Sequence, residues 1–248
     1  MRTGGQTVVP ATPREIDGVS VVVKGHFNPA IFSPAWLLGE QLIGVAEYKE
    51  AKVEVISRDL ALFSTAWLTC QVTPDALQMS TVVPEEFERT RDVVAGVLRA
   101  LSHTPIGAMG VNREVHILVK SVEQWHALGD RLVPKDAWLD VLHLPGMRNL
   151  TIWGTRTDDF AGRVHVQVEP SMRIPRAVYI THNDHYLLAH VEAQPKSRLE
   201  PWVLDSELDL EPSSNKLDLA LEILATDNWN ASLERADAVF RAVMEQAR

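Results

Sequence analysis

Histidine and aspartate come closest together in Ile180-Thr181-His182-Asn183-Asp184-His185-Tyr186-Leu187. These are residue types that ligate metals and move protons near neutral pH. A two-residue Asn183-Asp184 turn would fold the segment into a hairpin and set His182 opposite His185. In that geometry the two imidazoles could share an ion, with His165 or His190 as a third ligand. Alternatively, His182, Asp184 and His185 could form an acid–base group assisted by His116 or His165. An exposed hairpin tip explains the same residues without any chemistry, because turns select Asn and Asp, and metal binding is the weaker reading. One unbroken strand would send His182 and His185 to opposite faces and dissolve the pair.

A second group is made of asparagines beside structural breaks: Asn28 in His-Phe-Asn-Pro, Asn112 in Gly-Val-Asn-Arg, and Asn183. The amide offers two donors and an acceptor without charge, so three of them converging could hold a small polar ligand; local capping is the plainer account. Glu169, Ser171 and Arg173 crowd the end of another strand, a combination of low specificity. The single cysteine, Cys70, lies among apolar strand residues and reads as buried and structural. Phosphate-cradling GxxxxGK[ST], dinucleotide-binding GxGxxG, GxSxG and HExxH are all absent, and no cofactor is indicated.

These residues need elements to position them. Val19–Lys24 is a β-branched run between glycines and reads as a strand. Ser33 and Pro34 open a short helix over 35–43. Lys52–Ile56, Leu60–Val72 and Leu77–Val82 then read as an antiparallel meander. Pro84-Glu85-Glu86 starts a helix with Phe87, Val94, Val97, Leu98 and Leu101 on one face, and Gly107–Val119 returns as a strand. Two helical pieces surround Trp125 and Trp138. A second meander follows: Leu150–Trp153, Arg163–Val168 and Ala177–Val191. Helices over 215–225 and 232–247 end the chain, the last with Leu233, Ala236, Phe240, Val243 and Ala247 in an amphipathic stripe.

The expected fold class is therefore α+β, with antiparallel meander sheets covered by helices and with C-terminal helices. Two similar halves, 18–120 and 121–191, are one arrangement; a single sheet of seven or eight strands with helices on one side is the other. Residues 1–17 read as a flexible arm, 18–191 as the body, 192–214 as an acidic linker and 215–248 as the C-terminal helices.

The 248 residues carry a net charge of −9, which argues against nucleic acid and anionic membrane surfaces as partners. No stretch reaches the roughly 18–20 apolar residues needed to span a bilayer, and no signal-peptide core is seen, so a cytoplasmic location is expected. Residues 192–248 hold twelve acidic and six basic residues and account for most of the charge. Of the seven tryptophans, Trp202 and Trp229 lie in this region. Together with Leu233, Phe240 and Val243 they are the expected contacts with another subunit or partner, a packed core role being an equal alternative for Trp229 between its two helices.

The runs His26-Phe27-Asn28-Pro29-Ala30-Ile31-Phe32, Phe63-Ser64-Thr65-Ala66-Trp67, His103-Thr104-Pro105-Ile106 with Gly110-Val111-Asn112, and Asn183-Asp184-His185-Tyr186 resemble those of a group of uncharacterised bacterial proteins of about this length. They span residues 20 to 190. More faintly, the meander, helix and Gly-x-Asn arrangement is similar to a sporadically distributed family of uncharacterised bacterial proteins. The resemblance implies a bacterial source, with no activity and no catalytic residue to carry over. Three functions are expected to compete: a non-enzymatic protein-binding or assembly module, with a protein partner or self-association; a metal-dependent or acid–base enzyme at His182, Asp184 and His185; and a small-ligand sensor at Asn28, Asn112 and Asn183.

Overall fold

The computed structural model describes residues 13–188, 210 and 213–247. Nine antiparallel strands form one sheet: β1 (Arg14–Gly25), β2 (Lys52–Ile56), β3 (Ala61–Ser64), β4 (Thr69–Thr73), β5 (Ala76–Thr81), β6 (Ile106–Leu118), β7 (Leu150–Thr155), β8 (Gly162–Pro170) and β9 (Ala177–Leu187). Their order across the sheet is β2-β3-β4-β5-β1-β6-β9-β8-β7. Among the described residues six α-helices accompany it: α1 (Pro34–Gly39), α2 (Val45–Glu50), α3 (Phe87–Ala100), α4 (Val122–Leu132), α5 (Ser214–Ile223) and α6 (Thr226–Glu245).

The two arrangements expected from sequence merge into one. Each half starts with a long strand, leaves through helices, returns as a meander whose last strand pairs with the first, and ends in helix. The two long strands, β1 and β6, pair at the centre with Val21 opposite Val111. Topologically the second half therefore opens at β6, before residue 120. β1 begins at Arg14, so residues 14–17 belong to the sheet and not to an arm.

Strand alternation decides which residues meet the helices. Val19, Val21 and Val23 of β1, Met79 of β5 and Val111 of β6 are fully or nearly fully buried with Phe87, Val94, Val97 and Leu98 of α3. Farther along, Val115, Ile117, Val168 and Ile180 are buried with Leu128 of α4 and Ala236, Phe240 and Val243 of α6. One face of the sheet is thus the floor of the core. Gly96 of α3 lets Leu42 approach so closely that a Cβ there would lie 2.2 Å from its Cδ2. Gly162, with φ +137°, turns the chain into β8 where a Cβ would sit 2.0 Å from the carbonyl oxygen of His185.

Local chemistry sets several boundaries. The hydroxyl of Ser33 accepts the Trp36 N–H and caps α1. The stretch Leu60–Val72 breaks into β3 and β4 because Thr65 Oγ1 accepts the Leu68 N–H in a tight turn. α2 has no apolar stripe to announce it. Its Glu47 accepts the Gly44 N–H and the Trp67 indole N–H and pairs with Arg89 of α3.

Candidate functional site

Of the two arrangements open to the segment around Asn183-Asp184, the unbroken strand is the one found and the hairpin does not form. β9 runs unbroken from Ala177 to Leu187, paired with β6 on one side and β8 on the other. Asn-Asp is turn chemistry in isolation, but two flanking ladders satisfy the backbone in extended form. His182 and Asp184 therefore point to the helix-covered face, and Asn183 and His185 to the opposite one. The two histidines cannot share an ion. Among the described residues no three His, Cys, Asp or Glu side chains converge in a way that could hold one.

On the covered face Asp184 is completely buried, in line with Val21 and Val111. Two arginines reach it. Arg156, in the β7–β8 connection, donates from Nη1 to Oδ1 at 3.2 Å. Arg235 of α6 donates to Oδ2 from Nη2 at 2.6 Å and from Nε at 3.1 Å. Asp158 completes the cluster, bound by Arg156 at 2.5 and 2.8 Å and by Arg235 at 3.3 Å. The Arg156 guanidinium also lies 3.7 Å from the centre of the Tyr186 ring. Burial alone would raise the Asp158 pKa, but its hydrogen bond from Arg156 and the charges of Arg156 and Arg235 bring it below the ordinary value.

His182 is 1% exposed, its Nε2 lying 3.8 Å from Asp184 Oδ1. Burial pushes its pKa down; Asp184 opposes this, and Arg235, Arg156 and Arg113 add to it. The imidazole is thus neutral beside a carboxylate whose oxygens are already occupied by guanidinium donors. Such a carboxylate is a poor base or metal ligand, because each new bond must displace a charge-assisted one. Chemically, the cluster is a neutral two-plus-two set of charges that clamps α6 and the β7–β8 connection onto β9. A second clamp involves the same helix two residues on, where Asp237 pairs with Arg14 at 2.8 Å and Arg113 pairs with Asp17.

Sequence reasoning found His182 and Asp184 but missed Arg156, Asp158, Arg235, Arg14, Asp17, Arg113 and Asp237. A signal was available. In β9 the inward positions run Ile180, His182, Asp184, Tyr186, and a carboxylate at an inward position requires buried cations from elsewhere.

The opposite face has a different chemistry. Following the pairing from strand to strand, one row crosses all nine: Lys52, Ser64, Thr69, Ser80, Ser20, Asn112, Asn183, His165 and Trp153. The seven positions between the end residues carry no carboxylate, lysine or arginine. Asn112 Nδ2 donates to Ser20 Oγ at 3.2 Å, and Asn183 Oδ1 is buried with no hydrogen-bond partner among the described residues. A cleft of about 430 Å³ opens here, with Ser20, Gln78, Ser80, Asn112, Thr181 and Asn183 in its wall. At its rim the Tyr179 hydroxyl donates to Glu114 at 3.2 Å, its pKa pushed up to about 12 by burial and by that carboxylate. At the β7 end, Trp153 stacks on His165 at 4.5 Å with Arg163 over its other side.

Asn112 and Asn183 are thus cross-strand neighbours, whereas Asn28 stands apart: its Oδ1 accepts the Ala30 N–H and caps a 3₁₀ turn after β1. Near the rim, Ser171 Oγ and His116 Nδ1 are 2.8 Å apart, as in a nucleophile–base pair. The same oxygen accepts the N–H groups of Arg173 and Ile174, so its lone pairs are taken and the contact anchors a turn. Cys70 is buried, and burial pushes its thiol up to about 12.

The expected C-terminal interface is also corrected. Trp229, Phe240 and Val243 are buried in the core, and Leu233 packs against it. The covered face of the sheet needs an apolar lid, and α6 supplies it from the same chain. Trp202 lies outside the described residues. No helix among the described residues is long and apolar enough to cross a membrane. No protein-family model matches this chain, and the curated proteins contain no match to it.

Proposed function

We propose that this chain is a non-enzymatic protein-binding or assembly module of a bacterial cytoplasmic complex, and that it binds through the face of its sheet opposite the described helices. The observation that carries this reading is the uncharged polar row crossing that face, set around the Asn112–Asn183 pair. Uncharged donors and acceptors can be dehydrated on binding at far lower cost than charges. Among the described residues, the carboxylate beside His182, Asp184, is engaged with Arg156 and Arg235 in holding α6. The bacterial source rests on the resemblance of the His26–Phe32 and Asn183–Tyr186 runs.

Asn112→Arg and Asn183→Arg place bulk and charge in the row without touching the core. Co-purification from source cells should recover a stoichiometric partner with the unchanged protein and lose it with both variants, at unchanged far-UV circular dichroism. Equal recovery with all three would overturn this reading. The cleft favours a second one, a sensor for a small neutral polar ligand. In that case a thermal-shift screen of such ligands finds one whose stabilisation disappears in Asn183→Ala.

A further inference from the structure

We infer that β7 is the edge through which two copies of this chain pair, joining their sheets into one continuous sheet of both copies. The inference rests on the assembly reading above and adds a second contact to it, between two copies of the chain, away from the Asn112–Asn183 pair. Among the described residues no strand pairs with the outer side of β2 or β7; such edges expose rows of backbone groups that proteins normally blunt with charge, proline or a bulge. The β2 edge has such devices: Lys52, Glu54 and a register shift between Val53 and Val55. β7, Leu-Thr-Ile-Trp-Gly-Thr, has no charged residue, no proline and an unbroken register with β8. Nevertheless, Ile152 and Trp153 are 53% and 41% exposed.

The segment leading into β7 repeats the pattern. Trp138, Leu139, Val141, Leu142 and Leu144 are between 50% and 84% exposed. With Ile152 and Trp153 they make seven large apolar residues left in water in β7 and the segment before it, the composition of a surface that a partner covers. Charge selects a second copy as the occupant. The whole chain, at −9, repels its own kind, but residues 135–155 hold Lys135 and Arg148 against Asp136 and Asp140 and sum to zero. Two copies can meet there without like charges opposed.

Antiparallel pairing about a two-fold axis perpendicular to the sheet keeps like faces together. Side chains alternate with a period of two, so each residue lies beside one on the same face. The helix layers then sit on one side, and the polar row, which ends at Trp153, continues into that of the other copy.

Sedimentation velocity of the full chain over about 1–100 µM spans the range in which a pairing of this kind is expected to associate. A dimer should form, and Ile152→Lys and Leu142→Lys should each weaken it about tenfold or more by burying an unpaired charge. Val53→Lys, on the guarded edge, should leave it intact. All three positions are more than half exposed, so far-UV circular dichroism, and melting temperatures at concentrations where the unchanged protein is also monomeric, should stay unchanged and exclude misfolding as the cause. A strict monomer throughout, or a dimer indifferent to both lysines, overturns the inference. Capture of a different protein in place of the copy, in an Ile152-dependent manner, also overturns it. The Asn112→Arg and Asn183→Arg proteins separate the two ideas: they should dimerise normally while losing the co-purified partner.

Discussion

Along β9, neighbouring residues face opposite environments, and charge sits on the side where simple burial rules would not put it. Asp184 and His182, inward, are 0% and 1% exposed and meet Arg156, Arg235 and Arg113. Asn183, outward, lies among serine, threonine, asparagine and histidine. Apolar contact alone lets a helix slide or rotate on a sheet, whereas a buried carboxylate with two fixed guanidinium partners permits one seating. We read the inward charges as the device that fixes α6, the best-attested use of buried ion pairs. On the outward face, fixed charge would hold water, and the row avoids it.

The largest effect that could break this contrast is on stability. Asp184→Ala leaves the buried Arg156 and the partly buried Arg235 to share Asp158 as their remaining anion among the described residues, and unfolding in denaturant should show a loss of about 3 kcal/mol. A loss below about 1 kcal/mol would mean that the inward charges do not hold the helix. Phe240→Ala, which empties the apolar part of the same seating, should cost a similar ~3–5 kcal/mol.

Acid should expose the contrast next. Burial lowers the His182 pKa, with Asp184 opposing; burial likewise lowers that of His116, with Glu114 opposing and Arg173 assisting. The unfolded chain takes up these protons near the ordinary ~6.5, the folded chain only at lower pH. Stability is therefore complete above about 6.5 and falls as the pH drops below it. Asp158, held below its ordinary value, adds a second loss in stronger acid. Thermal melts from pH 8 to pH 4 should show the first decline, and His182→Phe should reduce it; a flat profile would contradict a neutral, buried His182.

The smallest stability effects should come from the outward face. Asn183→Ala should change stability by no more than about 0.5 kcal/mol, since its buried Oδ1 has no partner to lose. Asn112→Ala should cost about 1 kcal/mol for the bond to Ser20. A cost of several kcal/mol at either position would make the outward row structural and erase the difference between the faces.

Much of the fold was legible because its signals are local. The valines of β1, the alternation of β8 and the Pro84-Glu85-Glu86 start of the following helix each follow from a few adjacent residues. The site was legible only in fragments. His182 and Asp184 stood out by type, but their partners Arg156 and Arg235 lie 28 and 51 residues from Asp184. Local preference left two readings of Asn183-Asp184 open, a hairpin turn and an unbroken strand, and the ladders from β6 and β8 decide for the strand. Trp229 and Phe240 looked like interface residues because a stripe does not reveal whose surface it covers.

The sequence by itself determined that this is an α+β chain of antiparallel strands and helices, since period-two and period-3.6 patterning are local properties of the backbone. Only the tertiary structure decided that two meanders make one sheet, that His182 and His185 part to opposite faces, and that charge lies under the helices. Those outcomes depend on strand register and helix seating, which are set by contacts between residues far apart in the chain.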